Sequence, residues 1–256
     1  MIRGKSMRVF LLSIFCVLCA SAGASERDRI RLAVPGFSHL TTEAGDGVYQ
    51  KIMARAVANL DVELNATFYP IRRALLVFER GEADCIYSST EALEQNFRRE
   101  ELIFSYPLGK FSFFLFTPKN NPPIANVSAL QNKPVGVVSG QEHFLHPFLE
   151  NHHLDVVWSR NDALNVSMLE YGRFEAIIGA IPDIRPYLDR LSYSPDHPLL
   201  ESFDRLTCHN TERNQAFLTK LSRELRKLKR DGFYRDIAGP LYVEFDDDEP
   251  GVYPDS

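Results

Sequence analysis

The chain has 256 residues, of which 45% are hydrophobic and 25% charged, and its formal net charge at pH 7 is −5. This acidic balance argues against nucleic acid or an anionic membrane surface as a binding partner. The length is enough for one large domain or two modest ones, each with its own core.

The first 24 residues have the pattern of a secretory signal peptide. Arg3, Lys5 and Arg8 precede an apolar run of 12 residues, and small residues end the segment at Ala24. A membrane-spanning helix needs about 20 apolar residues, so we expect cleavage near Ala24 rather than a retained anchor. Cleavage removes three basic residues and no acidic one, which leaves an exported protein with a net charge of −8.

The first half of the mature chain reads as a βαβαβ unit. Alternating or short apolar runs predict strands at residues 30–34, 62–68 and 83–87, with helical apolar spacing between them. Directly after the third predicted strand come Ser88 and Ser89. In an open α/β sheet, ligands bind beyond the carboxyl ends of the strands, so we expect these hydroxyl groups at a ligand site.

A second βαβαβ unit follows an apolar strand at residues 111–116 and a segment rich in Pro and Asn. Its predicted strands and helices alternate, which indicates a second parallel sheet. The last helix carries five buried apolar residues, and the acidic tail from residue 246 is expected to be disordered. The second unit is predicted at 135–138, 142–151, 156–158, 162–171 and 176–178.

Two chemical alternatives follow from the cysteines and histidines. Cys85 and Cys208 remain after cleavage, and their spacing does not decide between a disulfide and two buried thiols. His143 and His146 share one face of a predicted helix, but no third ligand accompanies them. We therefore expect neither a metal site nor another cofactor.

Five short motifs occur in a characteristic order along the mature chain. They lie at residues 73–75 with 81–84, 104–107, 135–137 with 139–140, 172–177, and 225–234. With these motifs the chain resembles the family 3 bacterial solute-binding proteins, the periplasmic receptors for amino acids and related solutes.

The resemblance implies a two-lobed α/β fold of the type II-like periplasmic binding proteins, in which two hinge strands join the lobes and the cleft closes on ligand. Lobe one would comprise residues 25–112 and 206–245, and lobe two residues 113–205. The implied function is capture of a small polar ligand, amino-acid-like or an organic acid and bearing a carboxylate, by a monomer that serves an inner-membrane ABC-type transporter. The alternative is an orphan receptor for a membrane signalling partner.

The resemblance also places a ligand-carboxylate arginine at Arg98. Its planar guanidinium would bind the carboxylate in a bidentate manner, with Ser88, Ser89 and Thr90 completing the anion site. The alternative from the residues themselves is that Arg98 lies on a solvated helix face beside neighbouring glutamates.

The position at which the family's amino-acid receptors carry an aspartate for the ligand α-ammonium is Ala180 here. An ammonium buried without a carboxylate would be costly, so Asp183, Glu142 or Glu43 would have to replace it, or the ligand lacks an α-amino group. Gln141 and Glu142 follow Gly140 at the mouth of lobe two, where they would also contact ligand.

Two further predictions complete the site. Phe37 and Tyr69 follow predicted strands and are expected to form apolar cleft walls. We expect no catalytic residue. The enzymatic alternative is a periplasmic dehydratase of the cyclohexadienyl dehydratase type, which resembles the same fold, with Glu142 as general acid.

Overall fold

The computed structural model describes residue 1, residues 28–94 and residues 96–246. The predicted signal peptide apart from Met1, and the tail after Asp246, lie outside the described residues. Within those residues, we find no helix with the length and apolar character that crossing a membrane requires.

The first βαβαβ unit forms as predicted, with its three strands parallel and the first strand in the centre. The third strand has the predicted length but begins and ends two residues later, because pairing with an antiparallel partner extends from Cys85 through Ser89. Ser88 and Ser89 therefore end a strand instead of following one. The elements are β1 (Asp28–Pro35), α1 (Val48–Val57), β2 (Val62–Tyr69), α2 (Ile71–Glu79), β3 (Cys85–Ser89) and α3 (Thr90–Leu93).

The second unit also forms, and its three parallel strands place the first of them between the other two. Two short strands were not predicted, since two or three residues leave no periodic signal. These strands are β4 and β9. The elements are β4 (Leu102–Phe104), β5 (Gly109–Pro118), β6 (Pro134–Val138), α4 (Glu142–Asn151), β7 (Asp155–Ser159), α5 (Asp162–Glu170), β8 (Ala176–Ile181), β9 (Leu191–Ser192), β10 (Leu200–His209), α6 (Glu212–Arg230) and α7 (Phe233–Ala238).

Two long antiparallel strands join the two units into one sheet. The strand order is β2-β1-β3-β10-β5-β8-β6-β7, so β10 and β5 stand in the middle and run through both halves. The chain crosses from one half to the other along β5 and returns along β10. This connection gives the two lobes that the resemblance implied.

Each lobe buries apolar side chains on both faces of its part of the sheet. In lobe one, α1, α6 and α7 cover one face and α2 covers the other; in lobe two, α4 and α5 cover opposite faces. Helix α6 begins where the Thr211 hydroxyl accepts a hydrogen bond from the Asn214 N–H at 3.2 Å, and it ends before Gly232, whose φ is +83°. Its predicted buried face is confirmed at Phe217, Leu218, Leu221 and Leu225.

A disulfide bond joins the first unit to the returning strand. Cys85 in β3 and Cys208 in β10 are directly opposite each other in an antiparallel pair, and their sulfur atoms are bonded. Of the two alternatives left by the sequence, the structure contains the disulfide. The bond lies at the start of β3, and Ser88 and Ser89 lie at the other end of the same strand.

Candidate ligand-binding site

A cavity of about 240 Å³ lies between the lobes. It is surrounded by the carboxyl ends of parallel strands from both lobes and by the central strands β5 and β10. This is the position at which open α/β sheets bind ligands. The lining residues from lobe one include Phe37, Ser38, Ser88 and Ser89, and those from lobe two include Gln141.

Aromatic and aliphatic side chains form most of the cavity wall. Phe113 of β5 and Phe144 of α4 stack with their ring centroids 5.5 Å apart, and Phe111 meets Phe144 edge to face at 5.1 Å. Ile71 and Leu75 of α2 contribute from lobe one. Such walls bind an apolar group and exclude water from it.

Three aspartates contribute carboxylates to the same cavity. Asp162 begins α5, Asp183 follows β8, and Asp204 belongs to β10. Among the described residues that line the cavity, the basic one is Arg160, which is exposed. Three carboxylates with one guanidinium give this cavity an acidic character when all of these groups are ionised.

Asp162 is 4% exposed and contacts the opposite lobe. Its Oδ2 lies 3.4 Å from the Ser38 hydroxyl, a long hydrogen bond in which Ser38 donates. Its Oδ1 is buried and accepts no hydrogen bond from the described residues. Burial raises the pKa of the Asp162 carboxyl, because desolvation disfavours the charged form.

Asp183 is partly buried as a residue, but its Oδ1 is inaccessible and accepts no hydrogen bond within the described part of the chain. The pKa of Asp183 is raised well above its usual value, first by burial and then by the negative charges of Asp162 and Asp204. Asp204 accepts a much shorter hydrogen bond than Asp162 does, since the Tyr49 hydroxyl donates to its Oδ2 at 2.7 Å. Burial, followed by the Asp204 charge, raises the pKa of Tyr49 well above its usual value.

An ion pair connects the lobes beside the cavity. Arg72 of α2 donates to Glu142 Oε1 at 2.5 Å, and the backbone N–H of Gly140 donates to Glu142 Oε2. The Arg72 side chain is 69% exposed and that of Glu142 is 18% exposed. The pair therefore adds a polar contact between the two lobes at the edge of the cavity.

We expect Arg72→Ala to weaken ligand binding by about threefold, because an exposed ion pair contributes at most about 1 kcal/mol to the closed state. Isothermal titration calorimetry with any ligand of the protein measures this change. Arg29→Ala is the matched control, since its pair with Glu63 joins two strands of the same lobe. An unchanged affinity in Arg72→Ala at low ionic strength would contradict the prediction.

The structure places five of the nine predicted site residues at the cavity. Phe37, Ser88, Ser89, Gln141 and Asp183 all line it. Ser88 and Ser89 are buried, and the Ser88 hydroxyl donates to the Ser89 carbonyl at 2.8 Å.

The other four predicted residues lie differently. Glu142 is beside the cavity in the ion pair, Tyr69 packs against the α2 face of lobe one, and Thr90 begins α3 with its side chain outside the described residues. Arg98 is outside the cavity lining. Its side chain is 72% exposed and pairs with Glu100 at 3.0 Å and Glu101 at 3.1 Å, which matches the solvated-face alternative.

Sequence reasoning missed several cavity residues. Arg160 and Asp162 follow β7, so the rule that selected Ser88 and Ser89 would also have selected them. Asp204 gave no such signal, because it lies inside a strand read only as a connection between lobes.

The chain matches no protein-family model and, at a significant level, no curated protein. Solved structures share its fold. The substrate-binding protein of an amino acid ABC transporter is 15% identical, with 84% of this chain and 100% of that chain covered and a TM-score of 0.62. The GluR0 ligand-binding core in complex with L-glutamate is 14% identical, with 84% and 98% covered and a TM-score of 0.67. A histidine kinase sensor domain with similarity to periplasmic binding proteins is 16% identical, with 84% and 96% covered and a TM-score of 0.63. The chain has the two-lobed α/β fold of the periplasmic binding proteins, as the resemblance implied.

Proposed function

We propose that this protein binds a small molecule between its two lobes and closes on it. The observation that carries the proposal is the cavity of about 240 Å³, to which both lobes contribute polar and apolar side chains. A ligand that contacts both lobes binds the closed form more tightly than the open form, so it shifts the population toward closure.

We propose a membrane partner that recognises the closed form. An ABC-type transporter in the inner membrane is the first candidate, because one structural neighbour is the substrate-binding protein of such a transporter. A signalling receptor is the second candidate, because another neighbour is a histidine kinase sensor domain. Both proposals include a monomer that works in the periplasm after loss of its signal peptide.

The proposed ligand is small and polar at one end. The carboxylate expected at Arg98 would need another partner, because Arg98 is exposed and paired with glutamates. In the proposal, Arg160 takes any carboxylate of the ligand, since Arg160 lines the cavity and a guanidinium offers bidentate geometry.

Binding without turnover is the better supported proposal. A general acid must reach the group that it protonates, whereas Glu142 is held by Arg72 and by the Gly140 N–H at the edge of the cavity. The dehydratase alternative would need Glu142 to leave both partners.

The proposal is tested by thermal-shift screening of the purified protein against amino acids, amines, organic acids, polyamines and sugars. We expect at least one class to raise the melting temperature, with calorimetry giving one site per chain. Ser139 is exposed at the cavity, so Ser139→Trp should block binding and preserve the fold. Ser128→Trp is the control, because Ser128 is exposed away from the cavity. Failure of every class to stabilise the protein would reject the proposal.

A further inference from the structure

The buried oxygen atoms at the cavity lack hydrogen-bond donors. Asp162 Oδ1, Asp183 Oδ1 and Gln141 Oε1 are each buried, each belong to a cavity-lining residue, and accept no hydrogen bond from the described residues. Leaving a buried acceptor unmatched costs about 1–3 kcal/mol, and more for a charged group. A ligand rich in N–H donors would supply the missing partners, whereas a carboxylate would add further acceptors.

The charges around these oxygens also favour a ligand that carries N–H donors and a positive charge. Asp204 adds a third carboxylate from β10, with Tyr49 as its hydroxyl donor. Two basic residues oppose these negative charges. Arg160 lines the cavity but is exposed, and His39 lies near enough for its charge to lower the pKa of Asp162.

Arg185 follows Asp183 closely in the chain but is not among the residues that line the cavity. One of its guanidinium N–H groups donates to the Pro240 carbonyl, and its buried Nε–H has no acceptor among the described residues. When the three aspartates are ionised, the lining residues therefore favour a net positive charge on the occupant.

The form of the cation follows from the spacing of the carboxylates and from the walls. Among the residues that the structure describes, no three His, Cys, Asp or Glu side chains are grouped so that they could hold a metal ion. Phe37, Phe113 and Phe144 line the same cavity as the three aspartates. An organic cation with an apolar body fits both parts of the cavity, whereas a bare metal ion would leave the aromatic walls unused.

We propose that the ligand is an organic cation whose ammonium or guanidinium group binds Asp162 and Asp183, and whose apolar body packs against the phenylalanines. The inference rests on the proposed binding function and names its ligand class. An ammonium offers three N–H donors and a guanidinium five, which suits the unmatched oxygens of Asp162, Asp183 and Gln141. The charge-assisted bonds form in a site sheltered from water, where they are strong.

The arrangement links binding to protonation. Burial and neighbouring carboxylates raise the pKa of Asp183, so its protonated form persists to higher pH than that of an ordinary aspartate. A cation binds the ionised carboxylate, so binding releases a proton and affinity rises with pH until Asp183 is ionised in the free protein. A neutral or anionic ligand would not show this increase.

The test uses 2-phenylethylamine and benzylguanidine as cations, with 2-phenylethanol and phenylacetate as neutral and anionic probes of similar size. Calorimetry between pH 5 and 8, in buffers of different ionisation enthalpy, gives affinity and proton release. We expect both cations to bind more tightly than 2-phenylethanol or phenylacetate. Asp183→Asn and Asp162→Asn should each weaken the amine by at least about tenfold, as loss of one charge-assisted partner predicts.

Two controls separate binding from folding. Asp155→Asn changes an exposed carboxylate of β7 and should leave the amine affinity unchanged. Because the folded-state pKa of Asp183 is raised, ionising it costs stability as pH rises above the ordinary aspartate value. Asp183→Asn removes that loss, so the ligand-free variant should melt no lower than the wild type at pH 7.

The possible results distinguish failure of this inference from failure of the proposed binding function. Tighter binding of phenylalanine than of 2-phenylethylamine, with the gain lost in Arg160→Ala, would support a cation that also bears a carboxylate. Preference for phenylacetate, 2-phenylethanol or a divalent metal ion, or an unchanged amine affinity in both aspartate variants, would overturn the inference and leave the binding function standing. Binding of no compound in the broad screen would reject the function itself.

Discussion

Removing the Cys85–Cys208 disulfide is expected to lower the free energy of unfolding by about 2–5 kcal/mol. The bond joins residues 123 positions apart, so its loss frees a long loop in the unfolded chain and raises the entropy of that state. Both residues are fully buried, and alanine is the suitable replacement because a serine would bury an additional hydroxyl group.

Urea unfolding of Cys85→Ala/Cys208→Ala, compared with the oxidised wild type, measures the effect. Reduction of the wild type with dithiothreitol should lower stability in the same direction without changing any side-chain volume. A loss below about 1 kcal/mol in both experiments would contradict the entropic argument. Detection of two free thiols in the native protein would contradict the disulfide itself.

The same bond bears on the cavity. Cys85 begins β3, and that strand ends at Ser88 and Ser89, which line the cavity opposite Asp204 of β10. The disulfide and the Asp204↔Ser89 pair lie at the two ends of the same antiparallel contact. We infer that the covalent bond fixes the register between β3, which carries Ser88 and Ser89, and β10, which carries Asp204 and connects the lobes.

The parallel units were predictable because their signals are local. Helix α4 was predicted at residues 142–151 and forms at Glu142–Asn151. The strands of both units lie on or next to apolar runs that are bounded by turn residues. Periodicity over five to ten residues carries enough information to define such elements. Strand β4 has three residues and forms by pairing with β10, which is distant in the sequence. No local pattern therefore predicts it.

The cavity was only partly predictable. Phe37, Ser88 and Ser89 were found because positions after predicted strand ends are informative without coordinates, whereas Gln141 and Asp183 were predicted from the family resemblance. The three cavity aspartates, Asp162, Asp183 and Asp204, were not predicted as a group. They come from the start of α5, the segment after β8 and the middle of β10. Only the packed sheet brings these three elements together.

Arg98 shows the opposite difficulty. A motif offset predicted it as the arginine for the ligand carboxylate, but two neighbouring glutamates pair with its exposed guanidinium. The backbone N–H of Arg98 also donates to Glu101 at 2.8 Å, which fixes this local turn. Local ion pairs of this kind are visible in a sequence only as adjacent charges, and they compete with any role at a distant cleft.

Replacing Gly140 by alanine is expected to weaken ligand binding by about tenfold, through a clash between the lobes that costs over 1 kcal/mol. Gly140 follows β6 in lobe two and has φ of +102°. A Cβ at this position would lie 2.8 Å from the mobile Cδ1 of Ile71 in lobe one and 3.2 Å from Ile71 Cβ, which rotation of that side chain cannot move away. Relief of that contact requires either movement of Ile71 or partial opening of the cleft. Opening favours the form in which a ligand contacts one lobe only.

Gly172→Ala separates this clash from backbone strain. Gly172 also belongs to lobe two and has a positive φ of +70°, but a Cβ there would meet nothing within 4 Å. Both variants should lose about 1–2 kcal/mol of stability, because a left-handed conformation is costly for any residue with a Cβ. Only Gly140→Ala should also lose affinity and show a larger radius of gyration in the presence of ligand. Shortening the opposing side chain in Gly140→Ala/Ile71→Ala should recover most of the closure, measured against Ile71→Ala alone. Equal affinities in the two glycine variants would show that the lobes do not need close approach at this point.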